Sequence, residues 1–261
     1  MHPILFEIPA FFGIGPFPIR MYGLMIAIGF LLGIYLSARQ ARKEGINPDR
    51  IVDMGVYLLL SAIIGSRILH VIVNYSDFTR NPLDVFAIWK GGLVFYGGVL
   101  AAIPTGIWYV KKHNLPVWKT ADIIAPFAAL GHAFGRLGCF FAGCCHGTPY
   151  SGFLGITFTD PQSLAPQGIS LYPTQLFESG GEFLNFGILL FLRRYKKFDG
   201  QIFWLYPILY AILRFFVEFY RGDTDRGFYF SGMISTSQII AIVMVIVSGV
   251  MLWRLKKSQI G

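Results

Sequence analysis

The chain has 261 residues, of which 54% are hydrophobic and only 14% charged, with a mean hydropathy of +0.57. Soluble domains carry roughly 25% charged residues, so the composition excludes a water-soluble globular protein and predicts an integral membrane protein. The net charge of +8 does not point to nucleic acid, because the lysines and arginines fall in short clusters just after apolar segments. There they act as topology signals and contacts to anionic headgroups.

Residues 2–19 mix prolines and glycines with apolar residues and lack a basic region ahead of an apolar core. No cleaved signal peptide is expected, and the segment reads as an interfacial or re-entrant lead-in. Seven apolar stretches follow, at about 21–38, 51–73, 91–110, 121–143, 174–192, 201–220 and 233–253. Each is close to the roughly 20 residues that a helix needs to cross the hydrocarbon. The expected fold is an all-α bundle of about seven transmembrane helices in a single domain. No internal repeat is visible, which argues against a transporter built from inverted halves.

Orientation follows from the basic residues. One set of loops holds Arg39, Arg42, Lys43 and Arg50; Lys111, Lys112 and Lys119; Arg193, Arg194, Lys196 and Lys197; and Arg254, Lys256 and Lys257. The other side holds Arg20, Arg80, Lys90, Arg221 and Arg226. The positive-inside rule then predicts an outer N-terminus and a cytoplasmic C-terminus. The longer loops, about 74–90 and 144–173, are expected on the extracytoplasmic side. The second is rich in Gly, Pro, Ser and Thr and opens on Cys144, Cys145 and His146. It reads either as a lid over a lateral opening or as a plain connection.

Three arginines lie inside apolar stretches: Arg67, Arg136 and Arg214. A cation at that depth costs about 2.5–3.5 kcal/mol on insertion scales and calls for an anion, the most abundant being lipid phosphate. In the sixth stretch Tyr210, Arg214, Glu218 and Arg221 follow at i, i+4, i+8 and i+11, one polar stripe on an apolar helix. Two readings fit: an Arg–Glu pair locking helices, or an anion site in which Glu218 orients the arginines. In the fourth stretch His132 and Arg136 share a face. Gly131, Gly135, Gly138, Gly143 and Gly147 around them either aim backbone N–H groups at phosphate or permit tight helix packing.

The three cysteines, Cys139, Cys144 and Cys145, lack CxxC spacing. Adjacent cysteines rarely both ligate one ion, so no metal centre is expected, and partly buried or redox-active thiols fit better. Tyr96 stands between glycine pairs near one end of the third stretch, and Tyr22 opens the first. Both fit an interfacial belt as well as a site. Arg67 and His70 form a further polar pair in the second stretch. There is no GxSG with a partner histidine for an intramembrane serine protease, and the last stretch has no lysine for a retinal Schiff base.

Taken together, PIRMYGLM at 18–25, GSR at 65–67, GGLVFYGG at 91–98, GRLGCF at 135–140 with Gly147, YPTQLFE at 172–178 and YAILRFFVEFYR at 210–221 resemble the bacterial prolipoprotein diacylglyceryl transferases. The resemblance runs over essentially the whole chain. It implies an inner-membrane enzyme that moves the diacylglyceryl group of phosphatidylglycerol onto the lipobox cysteine thiol of a prolipoprotein, releasing glycerol phosphate, with no cofactor or metal. It also implies catalytic roles for Arg136, Arg214, Tyr96, Tyr22, Tyr210 and Glu218. Arg136, Arg214, Arg221, Gly138, Gly147, Gln175 and His132 are implied to hold the lipid. The chain departs from the family pattern where Tyr96 replaces a frequent histidine, Cys139 a frequent asparagine, and near Cys144, where an acidic residue is common. Glu218, His132 or the substrate phosphate then remains to take the thiol proton. The competing classes are a transporter or flippase for an anionic lipid, which also needs buried arginines, and a purely structural membrane protein.

Overall fold

A computed structural model describes residues 2–9, 17–79, 81–87, 91–222, 227–229 and 234–260. Arg80, Lys90 and Arg226, used above for orientation, lie outside the described residues, as do residues 10–16 of the lead-in and position 233. The described chain contains seven long α-helices: α1 Met21–Lys43, α2 Pro48–Val73, α3 Phe95–Lys112, α4 Val117–Ala142, α5 Thr174–Arg193, α6 Gln201–Val217 and α7 Thr236–Ile260. By length and composition five are apolar enough to cross a membrane: α1, α2, α4, α6 (with its continuation to Tyr220) and α7.

The helices overrun the apolar stretches because hydropathy measures hydrocarbon thickness rather than the last hydrogen-bonded turn. Thus α1 continues through Arg42 and Lys43, whose charges favour a helix C-terminus. The start of α2 is set by Asn47, whose side chain accepts from the Asp49 N–H at 2.9 Å, with Pro48 in the first turn. Conversely α3 begins only at Phe95, after Gly91 and Gly92 at φ +87° and +74°. Within the lead-in, β1 Ile4–Ile8 pairs antiparallel with β2 Phe17–Arg20.

The chain divides into two compact units, Met1–Gly33 with Ala121–Gly261, and Ile34–Thr120. In the second unit α2 packs on α3 through small residues. A Cβ on Gly97 would lie 2.6 Å from Leu69 Cβ, and one on Gly98 would lie 2.6 Å from Ser66 Oγ. These glycines serve helix contact, as small residues do in membrane interfaces. On α2, Leu60, Ile64, Ile68 and Ile72 are all more than half exposed at four-residue spacing. A continuous apolar stripe of that length has no counterpart on a soluble monomer and suits lipid.

Among the described residues, buried Arg67 on α2 is met by backbone carbonyls. Its Nε donates to Val85 O at 2.9 Å and its Nη1 to Gly91 O at 2.7 Å and Gly92 O at 3.1 Å, while Nη2 donates to Asp84 O. Carbonyl dipoles therefore replace the anion that the sequence called for, and Arg67 pins the segment after α2 to the helix. Charged hydrogen bonds are worth about 1.5–3 kcal/mol each, and a lysine cannot reproduce the planar fork. Arg67→Lys and Arg67→Ala are both expected to accelerate amide exchange at residues 84–87 and 91–94. Unchanged exchange there would remove the pinning role.

In the first unit α4, α5 and α6 share a core of Ala125, Ala129, Leu189 and Ile202, with Phe186, Leu205 and Leu209 against it. Asp122, fully buried on α4, accepts the N–H groups of Gly200 and Phe203 at 2.8 Å each and so caps α6. Lys196 Nζ stands 3.1 Å from the same carboxylate and 2.8 Å from Asp199. The loop 144–173 is an ordered structure of its own. Short strands β3 Ile156–Thr157 and β4 Ser170–Leu171 pair, and Phe158, Ala165 and Leu171 form a buried cluster with partly buried Phe140 of α4 against it.

Candidate functional site: three arginines on one buried carboxylate

Helix α5 presents a buried face of Thr174, Gln175, Glu178, Ser179, Glu182, Asn185 and Leu189. Those positions recur every three or four residues, so a single polar stripe runs down a helix of bilayer length. Two contacts hold it in place. Ser179 Oγ donates to Ala133 O of α4 at 3.0 Å, and Gln175 Nε2 donates to Cys144 O at 2.8 Å.

Glu178 is the centre of the site. Its Oε2 lies 2.6 Å from Arg136 Nε of α4, and its Oε1 lies 3.2 Å from Arg214 Nη1 of α6 and 3.4 Å from Arg221 Nη1. Arg214 also meets Glu218 Oε2 at 2.7 Å and donates to Ser237 Oγ of α7 at 3.0 Å. Glu178, Arg214 and Glu218 are all under 10% exposed. Helices α4, α5, α6 and the start of α7 thus converge on charged groups at the end of the bundle where the ordered loop begins.

The two readings of the Tyr210–Arg221 stripe are therefore not exclusive. Arg214 and Glu218 do pair along α6, but the carboxylate that gathers the arginines is Glu178, not the expected Glu218. Sequence reasoning passed over Glu178 and Glu182. Both were as anomalous in an apolar segment as the arginines, and their i, i+4 spacing, extended to Asn185, was the available signal.

His132 continues the network. Its Nε2 accepts from Arg136 Nε at 3.3 Å, and its Nδ1 is 3.3 Å from Tyr206 OH and 3.8 Å from Glu182 Oε1. The Tyr210 ring lies 4.9 Å from the His132 ring, centroid to centroid. Glu182 accepts from Asn185 Nδ2 at 3.2 Å. Among the described residues the buried Gln175 Oε1 has no hydrogen-bond partner. It is an acceptor available to a hydroxyl donor.

Two glycines named from the sequence have steric reasons to be glycine. A Cβ on Gly138 would sit 3.1 Å from Tyr22 Cδ2 and 3.2 Å from Tyr22 O, so α1 crosses α4 there and lays Tyr22 beside it. Gly147 forms an antiparallel bridge with Arg221. Its N–H donates to Tyr172 O at 2.9 Å, and the next N–H, of Thr148, donates to Tyr220 O at 2.9 Å. A Cβ on Gly147 would lie 2.7 Å from both carbonyl oxygens, so any side chain there displaces the backbone that carries Arg221. Tyr96 belongs to the other unit, near the start of α3, and is 58% exposed.

Cys139 in the last turn of α4 and Cys144 and Cys145 just beyond it are free thiols. Hydrogen bonding with Cys139, then Cys145, pushes the Cys144 thiol up, whereas hydrogen bonds from Cys139 and Cys144 hold the Cys145 thiol down.

A cage of guanidiniums around a carboxylate, in apolar helices, is chemically suited to an anionic group. The family model described as prolipoprotein diacylglyceryl transferase matches residues 9–254. A phosphatidylglycerol–prolipoprotein diacylglyceryl transferase of Clostridium tetani is 38% identical over 247 residues, 95% of either chain. One of Finegoldia magna is 38% identical over 250 residues, 95% of this chain and 96% of its own. Phosphatidylglycerol–prolipoprotein diacylglyceryl transferase 2 of Clostridium perfringens is 35% identical over 241 residues, 92% of both. The chain belongs to the prolipoprotein diacylglyceryl transferase family.

Proposed function

We propose that this chain transfers the diacylglyceryl group of phosphatidylglycerol to the lipobox cysteine thiol of a prolipoprotein, with the arginine cluster holding the phosphate. The observation that carries the reading is the convergence of Arg136, Arg214 and Arg221 on Glu178. Among these groups and Glu218, three cations meet two carboxylates, a surplus of about one positive charge. A phosphodiester supplies one negative charge, and guanidinium forks match its oxygens.

The reaction exploits that surplus. The thiol sulfur forms a bond to the glyceryl carbon while the carbon–oxygen bond to phosphate breaks, giving a thioether and glycerol phosphate. The phosphodiester becomes a monoester, whose charge rises toward about −2. The guanidiniums thus hold the departing group more tightly than the bound lipid, which is the condition for lowering a barrier. Once the carbon–oxygen bond has broken, the thiol proton passes from sulfur to the freed phosphate, whose second pKa of about 6 makes it a competent acceptor, so the extra charge that the guanidiniums stabilise develops in the transition state. Gln175 Oε1 accepts a headgroup hydroxyl, His132 and Tyr210 steady Arg136, and Gly147 sets the backbone of Arg221. Tyr22, laid on α4 at Gly138, borders the cluster. No step is assigned to Tyr96.

An apolar groove of about 240 Å³ between α6 and α7, lined by Ile212, Phe215, Phe216, Ile242 and Val245, offers room for an acyl chain beside Arg214. In the membrane we propose seven spans with the N-terminus outside and the C-terminus cytoplasmic, in the bacterial inner membrane, with the arginine cluster toward the extracytoplasmic side. The distribution of lysine and arginine supports this arrangement.

The test is a transfer assay: purified full-length protein in micelles containing phosphatidylglycerol, mixed with a synthetic lipobox peptide. The peptide is expected to gain the mass of one diacylglyceryl group, and to gain nothing when its cysteine is serine. A folded protein that binds the lipid and leaves the peptide unmodified would overturn the reading.

A further inference from the structure

Cys139, Cys144 and Cys145 lack CxxC spacing, and adjacent cysteines rarely both ligate one ion. In the structure their sulfurs all lie within 4.8 Å of one another. The backbone explains how. α4 ends at Ala142, after which Gly143 at φ +77° and Cys145 at φ +60° both enter the left-handed region. The two turns fold the chain back over the helix end, bringing Cys144 and Cys145 to Cys139 in its last turn. Glycine adopts this conformation without penalty, whereas a non-glycine residue there stores on the order of 1–3 kcal/mol and marks a candidate functional position.

The strained corner is held from outside. Thr174 Oγ1 donates to Cys145 O and Gln175 Nε2 to Cys144 O, each at 2.8 Å, from buried side chains at the start of α5. Cys144 Sγ stands 3.8 Å from Cys139 O. At a metal–sulfur distance of about 2.3 Å, three thiolates on one ion lie about 3.8–4.0 Å apart, so closing the triangle asks the sulfurs to move by about 1 Å or less. The guanidiniums of Arg136 and Arg221 act electrostatically on Cys145 and offset the negative charge of a three-thiolate centre.

We propose that Cys139, Cys144 and Cys145 form a binding site for a soft, thiophilic d10 cation, of the zinc(II) or copper(I) class, at the corner between α4 and the ordered loop. Thiolate sulfur selects such ions over hard ones. Binding replaces S–H bonds by S–metal bonds and releases the thiol protons to solvent. Because Cys144 and Cys145 are tied to α5 three and four residues before Glu178, an ion there stiffens the corner on which the arginine cluster rests.

The test uses the reduced, full-length protein in detergent, given zinc(II) or copper(I) in separate arms and then desalted. About one equivalent of at least one ion is expected to remain, and all three thiols should be protected together from maleimide. Cys139→Ser should retain no ion. Cys145→Gly is the variant that keeps the fold, since glycine suits φ +60°, and it too should retain none while unfolding no earlier than the parent. Retention of neither ion, unchanged maleimide labelling, or a full equivalent bound by either variant would overturn the site.

Discussion

Glu178→Gln is expected to be among the most damaging conservative substitutions in this chain. It preserves shape but removes the charge on which Arg136, Arg214 and Arg221 converge at 2.6, 3.2 and 3.4 Å. Removing one member of a buried charge network costs about 3–5 kcal/mol, because the partners are left uncompensated. If the loss fell wholly on transition-state stabilisation, transfer would drop by about two to three and a half orders of magnitude. Part of it will instead appear as a lower melting temperature in detergent. Glu178→Asp keeps the charge on a shorter arm and should retain measurable activity. Wild-type transfer and stability in Glu178→Gln would show that the arginines do not depend on this carboxylate.

The second large effect falls on the arginines. Arg214→Ala removes the guanidinium that bridges Glu178, Glu218 and Ser237, and Arg136→Lys keeps a cation but loses the Nε–H that meets both Glu178 and His132. If these groups stabilise charge that grows as phosphate departs, the loss should appear mainly in kcat, by about 10²–10³ for each. A purely structural role predicts a different pattern: less folded protein with normal turnover per folded molecule. Peptide transfer normalised to folded enzyme separates the two. A rise in KM alone would limit the arginines to binding.

What was legible beforehand follows from how each feature depends on neighbours. Arg136, Arg214, Arg221 and His132 were legible because a polar group in an apolar segment is anomalous without reference to anything else. Glu178 was equally anomalous, but its importance is a matter of which residues reach it from α4 and α6, and that is tertiary. Arg67 shows the limit of the same logic: its depth was read correctly, yet backbone carbonyls satisfy it rather than an anion. The glycines announced close approach without saying of what. Gly97 and Gly98 meet α2, Gly138 meets Tyr22, and Gly147 meets two carbonyls. The meeting of the cysteines depends on two left-handed residues, one of which is not a glycine, so spacing rules pointed the other way. The apolar stretches located the helices to within a few residues. The pairing of Ile4–Ile8 with Phe17–Arg20 was not legible because β1, ILFEI, has no apolar–polar alternation and Pro18 interrupts β2.

The central claim is that the cluster recognises lipid phosphate, and lipid selectivity tests it most directly. Native mass spectrometry of the full-length protein, offered phosphatidylglycerol and diacylglycerol of the same acyl chains, compares a ligand with the phosphate to one without it. The wild-type protein is expected to retain phosphatidylglycerol at least about tenfold over diacylglycerol, equivalent to about 1.4 kcal/mol. Arg214→Ala should lose that preference while still holding diacylglycerol. A preference that survives unchanged in Arg214→Ala and Arg136→Ala would contradict the phosphate site.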